Sequence, residues 1–488
     1  MIDFDGSLPE SWSWTTVGDL VIDALPGFAS GEKVVPNGVR HLRMNNIGSE
    51  GKLNLELVRT VPSQLASARH LLQSGDVLFC QTNSPKLVGK TALFNLDGPY
   101  AYSNHLCRLR PNRDLVEPSW LAHWLQRLWQ TGYFAERCKA WVNQATIERA
   151  ILLATPIPLP SLAIQHEIVA TLDKTLARLD AVRARLSRLP EILKRYRASI
   201  LKAACEGRLV PTEAELARVE GRAYEPAGQL LARILEERRA RWEAAELAKF
   251  QKAGKTLPMA WQQKYKQPEP PDTSELPELP EGWRWATVAQ IAASVRYGSS
   301  AKTSDDAEGV PVLRMGNIQD GSLHLSSLRY LPKHHPEFPD LLLMPGDLLF
   351  NRTNSPELVG KSAVYHGSPE PCSYASYLIG VRLATGCLPD HLNYFLNSVH
   401  GRKWVAAVVN QQVGQANVNG IKLQELAFPL PPQAEQHRIV AAVDRQLRFV
   451  DRLEATVATN LKRVEGMREG VLARAFRGEL SKQVTGVE

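Results

Sequence analysis

The chain has 488 residues, of which 44% are hydrophobic, and it carries a net charge of +7 at pH 7. This composition is typical of a globular protein of about three domains, and the positive charge favours an anionic partner. No cationic stretch precedes an apolar run at the start, and no apolar run approaches the roughly 18 residues of a membrane span, so we expect a cytoplasmic protein. The cysteines show no metal-ligand spacing and are predicted to be buried, reduced thiols: Cys80, Cys107, Cys138, Cys205, Cys372 and Cys387.

The second half of the chain repeats the first at an offset of 271 residues. LPESWSW at 8–14 returns as LPEGWRW, and LRMNNI at 42–47 returns as LRMGNI. Twelve of the sixteen positions from 75 to 90 are identical to their counterparts, and the offset still holds at Gln165-His166 against Gln436-His437. One unit has been duplicated, so each copy is predicted to build the same structure. Two similar surfaces related by an approximate two-fold axis would suit duplex DNA, which has two-fold character of its own.

Each copy begins with short apolar runs broken by Gly, Pro, Asn and Asp, which indicates strands. Strands are predicted at Leu78-Phe79, 92–94, 106–109, 348–350, 363–365 and 379–383, with helices at Ser119 to Thr131 and Pro389 to Val399. The predicted fold class is α+β (mixed α/β), with two homologous globular domains. The predicted boundaries are 1–157 for the first domain, 158–209 for a long helix, 210–278 for a central helix and linker, 279–428 for the second domain and 429–488 for a second long helix and the C-terminus.

Each long helix follows a proline-rich start signal and carries a heptad seam that needs a helical partner. The seam residues are Leu172, Leu179, Leu186, Leu193 and Ile200 in the first copy, and Val443, Val450, Val457, Val464 and Val471 in the second. Val182, Tyr196 and Met467 are among the apolar residues interleaved with them. We predict that the two helices pair antiparallel as a coiled coil, and that Pro190 breaks the first whereas its counterpart Leu461 leaves the second intact.

The insertion between the copies has no equivalent in the other half. Residues 227–250 predict a charged helix with an apolar stripe at Leu231, Ile234, Leu235, Trp242 and Leu247, and residues 255–276 read as a linker. The stripe could dock a partner, or it could pack on this protein's own helical rod.

Several catalytic patterns can be excluded. Gly89-Lys90-Thr91 and Gly360-Lys361-Ser362 resemble the end of a phosphate-binding loop, but Ser84 and Ser355 stand where that loop needs glycine. No dinucleotide fingerprint, amino-methyltransferase tetrapeptide or nucleophile elbow is present. Glu50-Gly51-Lys52 and the matched Asp76 and Asp347 are predicted to lie in turns, and His166 and His437 are predicted to cap or pack. No catalytic residue and no metal ligand is predicted.

The remaining repeated polar residues are candidates for DNA binding, because Arg, Asn and Gln can bond to base edges while Lys, Ser and Thr suit phosphates. They are Arg43, Asn45, Asn46, Gln81, Thr82, Asn83, Ser84 and Lys90, with Arg314, Asn317, Arg352, Thr353, Asn354, Ser355 and Lys361. A turn with a solvated lysine remains the alternative at any single position. Gln81 against Arg352, and Asn45 against Gly316, predict two unlike half-sites.

These motifs, in this order and in both copies, resemble the DNA specificity subunit of type I restriction-modification systems. The resemblance rests on Leu-Pro-Glu-x-Trp, Leu-Arg-Met-x-Asn-Ile, the Gly-Asp-x-Leu-Phe strand running into Thr-Asn-Ser and Val-Gly-Lys, and the Pro-Leu-Pro helix start before Gln-His. It implies two target-recognition domains, each reading half of a split DNA sequence, held apart by paired helices whose length sets the gap.

The resemblance also implies that this chain is not an enzyme and binds no cofactor of its own. Two modification subunits would use S-adenosylmethionine to methylate adenine, and restriction subunits would use ATP and Mg²⁺ for translocation and cleavage. Two alternatives remain: a duplicated enzyme whose Thr-Asn-Ser-Pro loops form two active sites, and a structural coiled-coil adaptor.

Overall fold

The structure, a computed structural model, describes residues 8–31, 35–142, 144–254, 259–355, 358–412 and 415–480. It divides into a first unit, Met1–Arg188 with Val457–Glu488, and a second unit, Leu189–Thr456. Pro356 of the repeated loop and the start of the predicted linker at 255–258 lie outside the described residues.

In its described part the first unit combines short strands with four helices of its own and the end of a further long helix. The strands are β1 Ser13–Thr16, β2 Val21–Pro26, β3 Val39–Leu42, β4 Arg59–Val61, β5 Val77–Cys80, β6 Thr82–Asn83, β7 Thr91–Leu93, β8 Tyr100–Tyr102, β9 Leu106–Pro111, β10 Lys139–Ala140, β11 Ala145–Thr146 and β12 Pro156–Leu159. The helices are α1 Pro118–Gln130, α2 Tyr133–Arg137, α3 Arg149–Leu153 and α4 Leu162–Leu186.

The strands of the first unit form four small sheets. An antiparallel sheet in the order β2-β9-β5-β7 lies at the centre, a second sheet has the order β4-β3-β8, a third has the order β10-β11-β6, and β1 pairs with β12. Strand β5 is buried on both faces: Val77 and Phe79 pack into one apolar core, and Leu78 and Cys80 into another. Because side chains alternate across a strand, covering both faces requires the uninterrupted apolar run seen in the sequence.

The second unit contains the repeat of this arrangement and the insertion. Its strands are β13 Arg284–Thr287, β14 Ala292–Tyr297, β15 Val310–Leu313, β16 Ile318–Gln319, β17 Ser322–Leu323, β18 Arg329–Leu331, β19 Asp347–Asn351, β20 Thr353–Asn354, β21 Ser362–Tyr365, β22 Ser373–Tyr374, β23 Leu378–Leu383, β24 Asn410–Gln412, β25 Gln415–Asn417 and β26 Ala427–Leu430. Its helices are α5 Leu189–Cys205, α6 Glu213–Glu220, α7 Ala227–Lys252, α8 Val288–Ile291, α9 Pro389–Asn397, α10 Val399–Val408 and α11 Gly420–Glu425. Helix α12, Gln433–Ala475, begins in this unit and ends in the first.

The sheets of the second unit repeat those of the first. Their orders are β14-β23-β19-β21, β18-β15-β22 and β20-β25-β24, and β13 pairs with β26. The second unit has in addition the antiparallel pair of β16 and β17. The register is matched as well: Ser13 lies opposite Leu159 and Arg284 opposite Leu430. The prediction that both copies build one α+β fold is therefore confirmed, and the predicted strands and domain helices lie where the sequence indicated them.

The long helices follow the proline prediction. Helix α4 ends at Leu186 and α5 begins at Leu189, with Pro190 in its first turn, whereas α12 passes through Leu461 without a break. In the first unit Arg468 of α12 donates to Asp180 of α4 at 2.7 Å. In the second unit Arg197 of α5 donates to Asp451 of α12 at 2.7 Å. These two ion pairs are repeat counterparts, and each joins two helices of one unit.

The helices run antiparallel within each unit. In the first unit Asp180 contacts Arg468, while Arg183, further along α4, lies beside the earlier Glu465. In the second unit Arg197 pairs with Asp451, whereas Glu213 beyond α5 pairs with Arg438. As the residue number rises along one helix, the number of its partner residue on α12 falls. The two helices of each pair are therefore antiparallel.

Burial along the predicted seam is uneven. Leu172, Leu193, Ile200, Val443, Val450, Val457 and Val464 are buried, and Leu179, Leu186 and Val471 are partly exposed. Val182, Tyr196 and Met467 are exposed, so their assignment to the covered face was wrong. The seam is therefore closed at some turns and open at others.

The helix of the insertion packs differently from both predictions. Leu230, Leu231 and Ile234 are buried in the core of the second globular domain with Ala286 and Ile291, and not on a helical rod. Further along α7, Trp242 stacks on Trp261, with ring centroids 5.7 Å apart, and lies 5.4 Å from the ring of Tyr265. The linker thus folds back over the helix through aromatic contacts, and Leu247 stays exposed.

Two bulk predictions can be compared with the structure. Five cysteines are buried as expected, but Cys138 is partly exposed, and all six are free thiols. Burial raises the pKa of Cys205 to about 12, which makes it an inert thiol.

Within the described ranges, none of the helices combines the length and the apolar content needed to cross a bilayer.

Candidate nucleic-acid interface

The repeated polar loop begins where the central sheet ends. After β5, Thr82 and Asn83 form β6 and pair with Thr146 and Ala145 of β11. After β19, Thr353 and Asn354 form β20 and pair with Asn417 and Ala416 of β25. We call β6 with the β10-β11 hairpin, and β20 with the β24-β25 hairpin, the loop sheets. Each is small and lies next to its candidate residues.

The candidate side chains of the loops are partly exposed, as DNA contact requires. This holds for Gln81, Thr82, Asn83 and Ser84, and for Arg352, Thr353, Asn354 and Ser355. The Asn83 amide oxygen accepts the Ser84 backbone N–H at 2.8 Å, and Asn354 accepts that of Ser355 at the same distance. The identical residues therefore give both loops the same backbone conformation at this point.

The Val-Gly-Lys segment returns the chain to the sheet. Gly89 N–H donates to the Cys80 carbonyl at 2.8 Å, and Gly360 N–H donates to that of Asn351 at 2.8 Å. Gly89 has a φ of +95°, and a Cβ there would lie 2.6 Å from a ring carbon of Phe134. Only glycine fits such a position. The resemblance to a phosphate-binding loop is thus explained by packing.

Asn46 and Asn317 serve their own loops. The Asn46 carbonyl oxygen accepts the Arg43 backbone N–H at 2.9 Å, and its amide donates to the carbonyls of Asn54 and Leu57 at 2.8 and 3.2 Å. Asn317 makes the same three kinds of bond in the second unit, to Arg314 N–H at 2.9 Å and to two loop carbonyls. Both side chains are buried. We therefore remove both residues from the set that we expect to touch bases.

Lys90 also departs from its predicted role. It is buried, its ammonium donates to the Ile47 carbonyl, and burial lowers its pKa. A lysine held in this way does not reach a phosphate outside. Its counterpart Lys361 is partly exposed and remains a candidate.

The remaining candidates flank this region. Arg43 and Arg314 are partly exposed, and their Nε atoms are buried without a hydrogen-bond partner among the described residues. Arg314 also donates to the Ser327 carbonyl at 2.7 Å. Asn45 is exposed, and so is its counterpart Gly316. This pair differs between the units in its ability to bond to a base.

Two exposed aromatic residues near the loops were missed by the sequence reasoning. Trp141 lies beyond β10 of the first loop sheet and is 70% exposed, and the adjacent Val142 is 97% exposed. In the second unit Tyr297 at the end of β14 is 46% exposed and lies under the guanidinium of Arg352. Neither residue belongs to a repeated motif, so the sequence did not single them out. Their signal is structural: each is an aromatic side chain with an unusually large exposed fraction.

The matched aspartates are structural. Asp76 accepts two hydrogen bonds from Arg110, both of 2.8 Å, and one from the Gln73 backbone N–H. Asp347 has the same arrangement with Arg382, at 2.7 and 2.6 Å. A buried carboxylate whose oxygens are occupied in this way is a poor general base. The predicted turns are confirmed, and each also carries an ion pair.

A matched glutamine joins each globular domain to its long helix. Gln165 at the start of α4 is buried, accepts the Glu117 backbone N–H at 2.9 Å, and donates to the carbonyls of Leu115 and Pro160 at 3.2 and 2.9 Å. Gln436 makes the corresponding bonds to Leu388 N–H and to the carbonyls of Gly386 and Pro431, at 2.8, 3.2 and 3.0 Å. The neighbouring His166 and His437 are exposed, so the packing role predicted for histidine belongs to glutamine.

The arrangement defines a class of protein. Two units of one fold present partly exposed polar loops of the same backbone course and different side chains, and the matched carboxylates are occupied by arginine. Among the described residues, no three His, Cys, Asp or Glu side chains are grouped so that they could hold a metal ion. These are the features of a two-site recognition protein.

Comparison with known proteins shows which recognition proteins this chain is similar to. Residues 68–191 match the family described as type I restriction modification DNA specificity domain. The EcoKI specificity subunit of Escherichia coli strain K12 is 26% identical over 486 residues, covering 98% of this chain and 91% of that protein. The StySPI specificity subunit of Salmonella potsdam is 24% identical over the same shares. The chain is thus similar over nearly its whole length to type I restriction enzyme specificity subunits.

A solved structure supports the fold. A chain from a study of complex assembly and conformational transition in a type I restriction-modification system has a TM-score of 0.64 at 22% identity, covering 97% of this chain and 99% of that one. This chain therefore shares its fold with that solved chain over nearly its whole length.

Proposed function

We propose that this chain is the DNA sequence-specificity subunit of a type I restriction-modification complex and reads a target split into two half-sites. The observation that carries the proposal is the pair of loops that share Thr-Asn-Ser and one backbone course but differ at Gln81 and Arg352. The identical residues hold each loop, and the differing residues discriminate bases. Partly exposed basic side chains such as Lys361 neutralise phosphates.

The chain itself is not catalytic in this proposal. Two modification subunits that use S-adenosylmethionine methylate adenine, and restriction subunits supply ATP- and Mg²⁺-dependent translocation and cleavage in the cytoplasm. The paired helices act as a coiled-coil ruler that sets the gap between the half-sites, and the modification subunits dock along them. The ion pairs Arg468–Asp180 and Arg197–Asp451 support a fixed helix pairing, because each joins helices of opposite direction.

Two measurements test the proposal. Methylated adenines are mapped genome-wide in cells with and without this gene, and a split motif that disappears with the gene is expected. The purified chain is then mixed with DNA and S-adenosylmethionine, with and without the modification subunits. Methyl transfer by the chain alone would favour the duplicated enzyme, and an unchanged methylation map would favour the structural adaptor.

A further inference from the structure

Arg352 is held by an aromatic side chain that has no equivalent in the first unit. Its guanidinium carbon lies 4.8 Å from the ring centroid of Tyr297. The Tyr297 hydroxyl accepts the Gly420 backbone N–H at 2.7 Å, which fixes the ring from its far end. A Cβ on Gly420 would lie 2.9 Å from that hydroxyl oxygen, so glycine permits the close approach.

The backbone of Arg352 is fixed as well. Its N–H donates to the Tyr377 carbonyl at 3.0 Å, and its carbonyl accepts the Val418 N–H at 2.9 Å. The side chain therefore starts from a backbone bonded on both sides and passes over a ring bonded at its tip. A guanidinium stacked on tyrosine keeps its charge and its planar arrangement of N–H donors.

The guanidinium has no carboxylate partner among the described residues, and its Nε is buried without a hydrogen-bond partner there. Arg110 and Arg382, by contrast, are each bidentate to an aspartate. Arg352 is thus oriented by stacking and leaves its terminal N–H groups for a ligand. A guanidinium held in this way presents two N–H donors side by side. They match two neighbouring acceptors, such as O6 and N7 on the major-groove edge of guanine.

A phosphate also offers paired oxygens, but the repeat argues against it. The DNA backbone is the same in both half-sites, so residues that bind it should recur in both units. The first unit has Gln81 at the repeat position of Arg352 and Pro26 at that of Tyr297. Both the guanidinium and the ring that supports it are therefore confined to the second unit. A contact that differs between otherwise matched loops is expected where the two half-sites differ.

We infer that Arg352, stacked on Tyr297, reads a guanine in the half-site recognised by the second unit, and that Tyr297 is its positioning residue. The inference rests on the proposed function, because it names the base that one of the proposed reading loops selects.

The test is selection from a randomised duplex library by the full chain assembled with its modification subunits. Wild type should select a split motif with guanine at one position of the second half-site. Arg352→Ala should relax that position by about tenfold or more and leave the first half-site unchanged. Arg284→Ala, which removes an exposed arginine of the same unit away from the loop, is the charge-matched control and should change no position.

Tyr297 is tested by two substitutions. Tyr297→Phe keeps the ring and should retain most of the guanine preference. Tyr297→Leu removes the ring and should relax the same single position as Arg352→Ala, while the first half-site stays as in wild type. Both substitutions lose the hydroxyl that accepts the Gly420 N–H, so their unfolding midpoints should be similar to each other. Loss of preference at every position with Tyr297→Leu would indicate a general structural role and would overturn the assignment.

A modified base separates guanine from phosphate. With 7-deazaguanine at the selected position, which lacks the N7 acceptor, wild-type binding should fall about tenfold and Arg352→Ala binding should not change. Even weakening by Arg352→Ala on all sequences, with a shallower salt dependence, would assign the residue to phosphate and overturn the inference. The absence of any split motif for wild type would instead overturn the proposed function, so the two failures are distinguishable.

Discussion

Lys90 and Lys361 are identical residues at matched positions, but they differ in burial. The Lys90 ammonium is covered and bonds to the Ile47 carbonyl, whereas Lys361 is partly exposed. Removing a buried ammonium leaves a carbonyl without its hydrogen bond and creates a cavity. Removing a partly exposed ammonium changes mainly the electrostatic potential around the protein. The same substitution should therefore act on stability in one unit and on DNA binding in the other.

Lys361→Ala should weaken DNA binding evenly across sequences and reduce the slope of log K against log salt by about 1. Lys90→Ala should leave that slope nearly unchanged and lower the free energy of unfolding by about 1 to 3 kcal/mol. Binding titrations at several salt concentrations and urea unfolding measure both. A shallower slope with Lys90→Ala at unchanged stability would show that this lysine reaches the phosphates after all.

His391 predicts a pH dependence of stability. It is fully buried, neither ring nitrogen has a hydrogen-bond partner among the described residues, and burial lowers its pKa to about 3. In the unfolded chain a histidine titrates near pH 6.5, so between these values the unfolded state binds more protons. The free energy of unfolding should therefore fall as the pH decreases below about 6.5.

The expected loss from His391 is about 1.4 kcal/mol between pH 7.5 and 5.5. His391→Leu removes the titrating group at similar volume, so urea unfolding of this variant should fall by that much less over the same interval. Other groups titrate in both proteins and cancel in the difference. Equal losses in both proteins would mean that His391 is protonated while folded.

Gln436 should be a large contributor to the stability of the second unit. Gln436→Leu leaves one backbone N–H and two carbonyls unpaired in a buried place, which should cost about 3 kcal/mol or more. His437→Ala is the matched control, because its side chain is exposed on the next residue, and it should change stability by less than about 0.5 kcal/mol. Similar effects of the two substitutions in urea unfolding would contradict the assignment.

At the scale of elements, the proline positions decide where the long helices end. Pro190 lies in the first turn of α5, where its missing N–H costs nothing, and Leu461 lies in the interior of α12, where each N–H bonds to the preceding turn. The same residue type is therefore tolerated at one repeat position and not at the other.

Leu461→Pro should destabilise the protein by about 3 kcal/mol or more, because it removes an internal hydrogen bond and introduces a clash. Pro190→Leu should change stability by less than about 1 kcal/mol. Leu461→Ala keeps the backbone bond and measures the side chain alone. Urea unfolding compares the three, and a Leu461→Pro value close to that of Leu461→Ala would show that α12 tolerates a break there.

The elements also show which features a sequence can predict. Local signals were sufficient for the apolar strands, for the break at Pro190 and for the duplicated fold. Burial of Asn46 and Lys90 could not be predicted, because identity between the copies arises equally from a loop that needs the residue and from a ligand that does. The loop-sheet hairpins were missed because their strands, of two or three residues, are too short to show an alternation of apolar residues. Tyr297 was missed because Arg352 and the ring that supports it come from distant segments of the chain.

At the scale of the whole molecule, the duplication permits a test of symmetry. Each globular domain is closed by a pair of strands at its ends, β1 with β12 and β13 with β26, in the same register. Residues 13–159 and 284–430 therefore begin and end at equivalent places, and each segment can replace the other with little change at the junctions.

Exchanging these two segments should leave the methylated motif unchanged if a two-fold axis relates the domains on DNA. Rotation by that axis converts the exchanged chain into the original arrangement, so the same split sequence is read from the other strand. Domains related by translation along the duplex would instead produce the two half-sites in reversed order. Mapping methylated adenines in cells that carry the exchanged chain distinguishes these outcomes.

The junctions call for a second version of the exchanged chain. Phe476 packs on Trp120 and Trp124, with ring centroids 4.4 and 4.9 Å away, and the residue at the corresponding repeat position is Cys205. The first domain, once moved, would meet Cys205 where it had Phe476, which leaves a cavity. The second domain would meet Phe476 where it had Cys205, which overpacks its core. Both changes lower stability. Adding Cys205→Phe and Phe476→Cys restores the matched pairs. If this version folds to wild-type stability and yields reversed half-sites, a two-fold arrangement is excluded, and the helices cannot act as a symmetric ruler.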